Sequence, residues 1–110
     1  RDIMTGIHHP NLGVCADFGN FPPERRYRAL EIVSPFTFHI HAKSYDFDQN
    51  GQETTIDYER AISVFERSLY RGYFSVEYEG KGDEFSGTEK TVNLIRSFKL
   101  TGIGKKLSEF

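Results

Sequence analysis

Three short runs alternate apolar and polar side chains with a period of two, and each is followed by a stretch whose apolar residues recur every three or four positions. The first run, Leu12-Gly13-Val14-Cys15-Ala16-Asp17, sets Leu12, Val14 and Ala16 on one face and Gly13, Cys15 and Asp17 on the other. In the second, Phe36 to Lys43, the residues Phe36, Phe38, Ile40 and Ala42 oppose Thr37, His39, His41 and Lys43. In the third, Tyr73 to Tyr78, the residues Phe74, Val76 and Tyr78 oppose Tyr73, Ser75 and Glu77. Each run predicts a strand with one apolar face and one small or polar face.

The stretches between them predict helices. Pro23 suits a first helical turn and Glu24 there favours the helix dipole, so a helix is expected over Pro23 to Val33, with Tyr27, Leu30 and Val33 on one stripe and Ser34-Pro35 as its stop. Asp57 is an N-cap for a helix through Arg71, with Ala61, Ile62, Phe65 and Leu69 as its buried stripe and Gly72 in the C′ role. Ser86-Gly87-Thr88-Glu89 matches a capping box ahead of Val92, Leu94, Ile95 and Phe98. Ser44 to Thr55 is a long polar loop built on Asp48-Gln49-Asn50-Gly51, and Glu79 to Phe85 is a loop rich in glycine and charge. Residues 1–7 show neither cap nor period, and His8 and His9 form an exposed pair before the first strand.

Strand followed by helix, three times, with helices long enough to cross over between parallel strands, predicts an α/β fold with a parallel (βα)3 sheet. Three units are too few to close a barrel, so residues 1–110 are expected to form a single partial domain.

Composition changes this picture little. The 110 residues are 37% hydrophobic and 27% charged, ordinary for a globular protein. A net charge of −2 without a basic run excludes an electrostatic footprint for nucleic acid, and Lys105-Lys106 is too small to supply one. No apolar stretch is long enough to span a bilayer, so no membrane partner is expected. The single cysteine, Cys15, excludes an internal disulfide and fits a reducing, cytoplasmic setting.

The chemistry lies on the polar faces. Each carries one candidate ligand near its C-terminal end: Asp17, His41 and Glu77. Active sites of parallel α/β folds lie at that end of the strands, so the three are expected at one height on adjacent strands. Two carboxylates with an imidazole suit one divalent ion of the manganese, magnesium, cobalt or zinc kind, and an ion would relieve the cost of burying the acids side by side. Lys43, one step beyond His41, is a candidate for binding a substrate oxygen, with a salt bridge to Asp46 or Asp48 as the structural alternative. His39 is expected one layer deeper as a hydrogen-bonded core histidine, and Glu79 and Asp83 as solvated loop charges.

Cys15-Ala16-Asp17-Phe18-Gly19-Asn20-Phe21, His39-Ile40-His41-Ala42-Lys43 and Ser75-Val76-Glu77-Tyr78-Glu79-Gly80 together resemble the last three units of the sugar phosphate isomerase/epimerase family, which has the xylose isomerase-like TIM barrel. The resemblance runs from Pro10 to Lys99 and implies the end of a (β/α)8 barrel. It places Asp17, His41 and Glu77 on the family's metal-binding aspartate, histidine and second glutamate, and makes Glu77 an acid or base that moves the proton next to a sugar carbonyl. The first metal-binding glutamate has no counterpart, and a segment ahead of Arg1 is expected to carry it. Where many relatives have a histidine near the substrate this chain has Asn20, which can hydrogen-bond a sugar hydroxyl but cannot titrate near neutral pH.

The function so implied is a metal-dependent isomerase or epimerase acting on a sugar or sugar phosphate. Two alternatives stand beside it. An endonuclease IV-like phosphodiesterase shares the barrel but needs more metal ligands than these strands offer. A fragment without activity of its own would expose two parallel edges and pair with another copy.

Overall fold

The computed structural model describes residues 2–98, so Lys99 at the end of the resemblance and the Lys105-Lys106 pair lie outside the described residues. Three strands, β1 (Val14–Asp17), β2 (Thr37–Ser44) and β3 (Phe74–Tyr78), form one parallel sheet in the order β1-β2-β3. Each is followed by a helix: α2 (Arg26–Val33), α3 (Tyr58–Arg67) and α4 (Glu84–Arg96). The sheet is open, three strands wide among the described residues. A six-residue helix, α1 (Asp2–Ile7), precedes it where the sequence predicts no element; it is too short to display a period, and Ile3 and Ile7 are exposed.

The helices cover one face of the sheet. Ala16, Ile40 and Ala42 point into this layer and meet Leu30 of α2, Ala61, Ile62 and Phe65 of α3 and Leu94 and Ile95 of α4, all buried. Phe18, in the turn after β1, is fully buried and packs against the rings of Tyr58 and Phe65 with centroids 5.4 and 6.0 Å away. Burying a side chain of this size stabilises the fold by about 1.5–3 kcal/mol. The opposite face carries Cys15, His39, His41, Ser75 and Glu77, the polar set of the alternation, and none of these five is fully buried.

Several boundaries differ from expectation for local reasons. Residues 23–25 form a turn, and α2 starts at Arg26 without a side-chain cap. Its end runs into a short 3₁₀ turn, Ser34–Phe36, so Phe36 precedes the strand. The register of β1 against β2 shifts between Val14–Thr37 and Cys15–His39, and the residue passed over is Phe38. Phe38 is therefore 55% exposed rather than in the core, with its ring against Gly13, where a Cβ would lie 2.2 Å away.

At the end of α3, Tyr70 N–H donates to the Phe65 carbonyl and Leu69 N–H to the Glu66 carbonyl, a Schellman motif that ends the helix before Gly72. Leu69 occupies the left-handed position at φ 61° and is exposed instead of joining the buried stripe. Gly72 serves close packing, since a Cβ there would meet the Tyr70 hydroxyl at 2.2 Å. The last helix begins three residues early because Asp83 caps it, accepting from Ser86 N–H at 2.8 Å, and the expected box at Ser86 and Glu89 lies inside the helix. The Asp57 cap of α3 stands as expected, accepting from Arg60 N–H.

Candidate metal centre

The site is built where the three strands end. Asp17 pairs with His41 across β1 and β2, but across β2 and β3 His41 pairs with Ser75 and Lys43 with Glu77. The three candidate ligands are thus not at one height: Glu77 stands a full pleat step further along. Its side chain nevertheless reaches back, with Oε1 3.0 Å from His41 Nδ1, while Asp17 Oδ2 is 3.8 Å from the same nitrogen. One donor atom from each of Asp17, His41 and Glu77 lies within 4.8 Å of the others, so the three could hold a metal ion.

Each side chain is held from behind. Asp17 is 7% exposed, and its Oδ1 accepts from Gly19 N–H at 2.8 Å. His41 makes an edge-to-face contact with His39, whose Nε2 hydrogen-bonds Ser75 Oγ at 2.7 Å. His39 therefore occupies the layer beneath with a polar partner.

Lys43 lies on the expected face, but the salt bridge offered as its structural alternative takes other partners. Its ammonium is not paired with Asp46 or Asp48: Asp46 accepts from the Thr54 hydroxyl, and Asp48 closes the turn by accepting from Asn50 and Gln52 N–H. Instead Nζ lies 2.9 Å from Glu77, 2.7 Å from Glu79 and 3.5 Å from Asp17, and the residue is 4% exposed. Burial pulls its pKa down, but the hydrogen bonds to Glu79 and Glu77 and the charge of Asp17 outweigh burial and hold it above the ordinary lysine value. The Lys43 hydrogen bond pulls the Glu77 carboxyl below its ordinary value against the weaker opposing effect of burial. The Tyr58 hydroxyl donates to the Lys43 carbonyl and fixes the end of β2.

Glu79, expected to be a solvated loop charge, belongs to this cluster. Its N–H continues the ladder by donating to the Ser44 carbonyl at 2.8 Å, so it keeps the strand's alternation and falls on the face of Glu77. Two residues of spacing carried that signal. Asn20 sits exposed in the turn after β1 and makes no hydrogen bond to another described residue, and Asp83 is used as a cap.

The xylose isomerase-like TIM barrel family matches residues 1–98. This chain belongs to it. Among curated relatives, a C-glycoside deglycosidase alpha subunit of Arthrobacter globiformis is 40% identical over 78 residues, 71% of this chain and 21% of that protein. A 3'-dehydrocarminate deglycosidase alpha subunit of a Microbacterium species is 33% identical over 79 residues, 72% of this chain and 21% of that protein. A C-glycoside deglycosidase alpha subunit of Microbacterium trichothecenolyticum is 32% identical over 76 residues, 64% of this chain and 20% of that protein. The chain thus spans about a fifth of the length of the curated relatives it matches.

For a xylose isomerase-like barrel, the donor set fits a divalent ion. One imidazole nitrogen and two carboxylates suit manganese, magnesium, cobalt or zinc. The oxygens turned away from His41 are already tied, Asp17 Oδ1 to Gly19 and Glu77 Oε2 to Lys43, which orients the remaining donors as outer partners do in metal sites.

Proposed function

We propose that this chain forms part of a metal-dependent enzyme that removes the proton next to a carbonyl on a sugar. Asp17, His41 and Glu77 hold one divalent ion, which when bound polarises the oxygens of a hydroxy-carbonyl substrate and acidifies the neighbouring C–H. Glu77 accepts that proton. Lys43 hydrogen-bonds the Glu77 carboxylate and aims it. Asn20, exposed on the turn beside the site, hydrogen-bonds a sugar hydroxyl. The observation that carries the proposal is the convergence of the three donors at the C-terminal ends of adjacent parallel strands.

Proton removal has two outcomes. The electron pair recaptures a proton, giving an isomerase or epimerase of sugars or sugar phosphates, or it forms a C=C bond as the next carbon's bond to the aglycone breaks, the aglycone leaving with that bond's electron pair and taking up a proton. The relatives' names favour the second: a C-glycoside deglycosidase detaches a sugar held through carbon, and the prefix 3'-dehydro denotes a ketone on the sugar. Their designation as alpha subunits further supports assembly with a second kind of subunit. One cluster of three ligands among the described residues supports a single ion rather than the several of a phosphodiesterase.

The test is incubation of the complete protein with manganese and keto-sugar C-glycosides in heavy water. Aglycone release, or deuterium at the carbon next to the carbonyl, is expected for the parent and lost with Glu77→Gln. Neither product from any keto-sugar, with manganese bound, would refute it.

A further inference from the structure

Glu79 gives no donor to the cluster of Asp17, His41 and Glu77, yet it makes the shortest contact of the Lys43 ammonium: 2.7 Å, against 2.9 Å to Glu77 and 3.5 Å to Asp17. We propose that Glu79 is a positioning residue for the metal centre: by anchoring the Lys43 ammonium clear of Asp17, it sets how tightly a divalent ion is held. This rests on the proposed use of Asp17, His41 and Glu77 as ligands.

Three observations carry it. First, the lysine and an ion need the same oxygen. Asp17 Oδ1 is engaged with Gly19 N–H, which leaves Oδ2 to serve an ion, and Oδ2 is the oxygen that faces Lys43 Nζ. With Lys43 only 4% exposed, a positive charge at this distance from a ligand oxygen is poorly screened and opposes a second cation there.

Second, the anchor is built into the fold. The Glu79 N–H donates to the Ser44 carbonyl at 2.8 Å, which extends the ladder beyond β3 and keeps the side chain on the face of Glu77. The lysine is confined at its other end: the Tyr58 hydroxyl donates to its carbonyl, and its stem lies so close to Gly19 that a Cβ there would sit 2.6 Å from it. The ammonium therefore has few places to go, and the carboxylate at the end of the ladder selects among them.

Third, the charges balance only with Glu79 present. Among the described residues, three carboxylates against one ammonium leave two negative charges, the complement of a divalent ion. Without Glu79 one negative charge is left, and both remaining partners of the ammonium are metal ligands.

The test measures manganese dissociation constants of the complete protein from the spin-resonance signal of free manganese. Glu79→Gln should weaken binding about tenfold, the lower end of what losing an outer partner costs a metal site. Glu79→Asp keeps the charge but shortens the arm, and should weaken binding in the same direction. In a Lys43→Met background Glu79→Gln should change affinity by less than about twofold, because the group it acts through is gone. A residue with a merely structural role would not tie its effect on manganese to the presence of Lys43.

Parent-like affinity in Glu79→Gln, parent-like affinity in Glu79→Asp, or an equal loss with and without Lys43 would each overturn the proposal. The last outcome would mean that Glu79 acts directly by its charge. Deuterium exchange into a keto-sugar, run on the same manganese-loaded parent, reads the proposed function separately. Its absence alongside the expected affinities would strike that function and leave the role of Glu79 standing.

Discussion

Replacing Lys43 by methionine removes the cation shared by Asp17, Glu77 and Glu79 while nearly preserving the volume of the stem. Lys43 is 4% exposed and its acids are unequal: the side chains of Asp17, Glu77 and Glu79 are 8, 33 and 56% exposed. Glu77 and Glu79 can turn toward water when the lysine is lost, but Asp17 cannot. Breaking a buried pair by removing one partner costs about 3–5 kcal/mol, and with only one acid trapped the expected loss is near the low end, about 3 kcal/mol. Urea unfolding of metal-free protein at neutral pH measures it. The loss should also depend on pH. In the parent the Glu77 pKa lies below its unfolded value, so the stability it contributes is present above about pH 4.3 and disappears as pH falls through the lower folded value. The gap between parent and variant should therefore narrow in acid, where the freed carboxylates are protonated. A loss below about 0.5 kcal/mol at neutral pH, the size of a solvent-screened surface pair, would refute the buried network.

Glu53 organises the loop between β2 and α3: its buried carboxylate accepts from the backbone N–H groups of Tyr45, Asp46, Thr55 and Ile56. Glu53→Gln places an amide nitrogen against some of these donors and should cost about 2–3 kcal/mol, with faster hydrogen exchange confined to residues 45–56. Leu69 holds a left-handed backbone conformation while exposed, so Leu69→Gly should stabilise the protein by about 0.5–1 kcal/mol in thermal or urea unfolding. Tyr70 is buried with its hydroxyl donating to the Tyr73 carbonyl at 2.6 Å, and burial pushes its pKa up to about 12. Its raised value contributes stability that is complete below the unfolded pKa of about 10 and is lost as pH rises through about 12; Tyr70→Phe should flatten that decline in an alkaline unfolding series.

The three strands, their parallel partnership with the helices and the face that carries the chemistry were all legible in the sequence, because alternation with period two is a local property of extended chain. Asp57 announced its helix for the same reason: a cap acts within three residues. Boundaries were less legible where two local signals compete. Asp83 and Ser86 are both capping residues; the structure uses Asp83, and the Tyr78 ring packs onto Gly87 within the helix it starts. Leu69 in a position that favours glycine is likewise decided by the course of the chain into β3.

The sequence by itself determined that an aspartate, a histidine and a glutamate would stand on one face of neighbouring strands. It did not determine their heights, since the offset between strands is set by inter-strand hydrogen bonds and by the bulge at Phe38, neither of which has a signature in one strand alone. That offset puts Glu77 opposite Lys43 and Glu79 a step beyond. The tertiary structure therefore decided that the lysine is a buried counter-ion shared by three carboxylates. Pairing between residues so far apart in the chain depends on how strands are staggered, and no local pattern encodes that stagger.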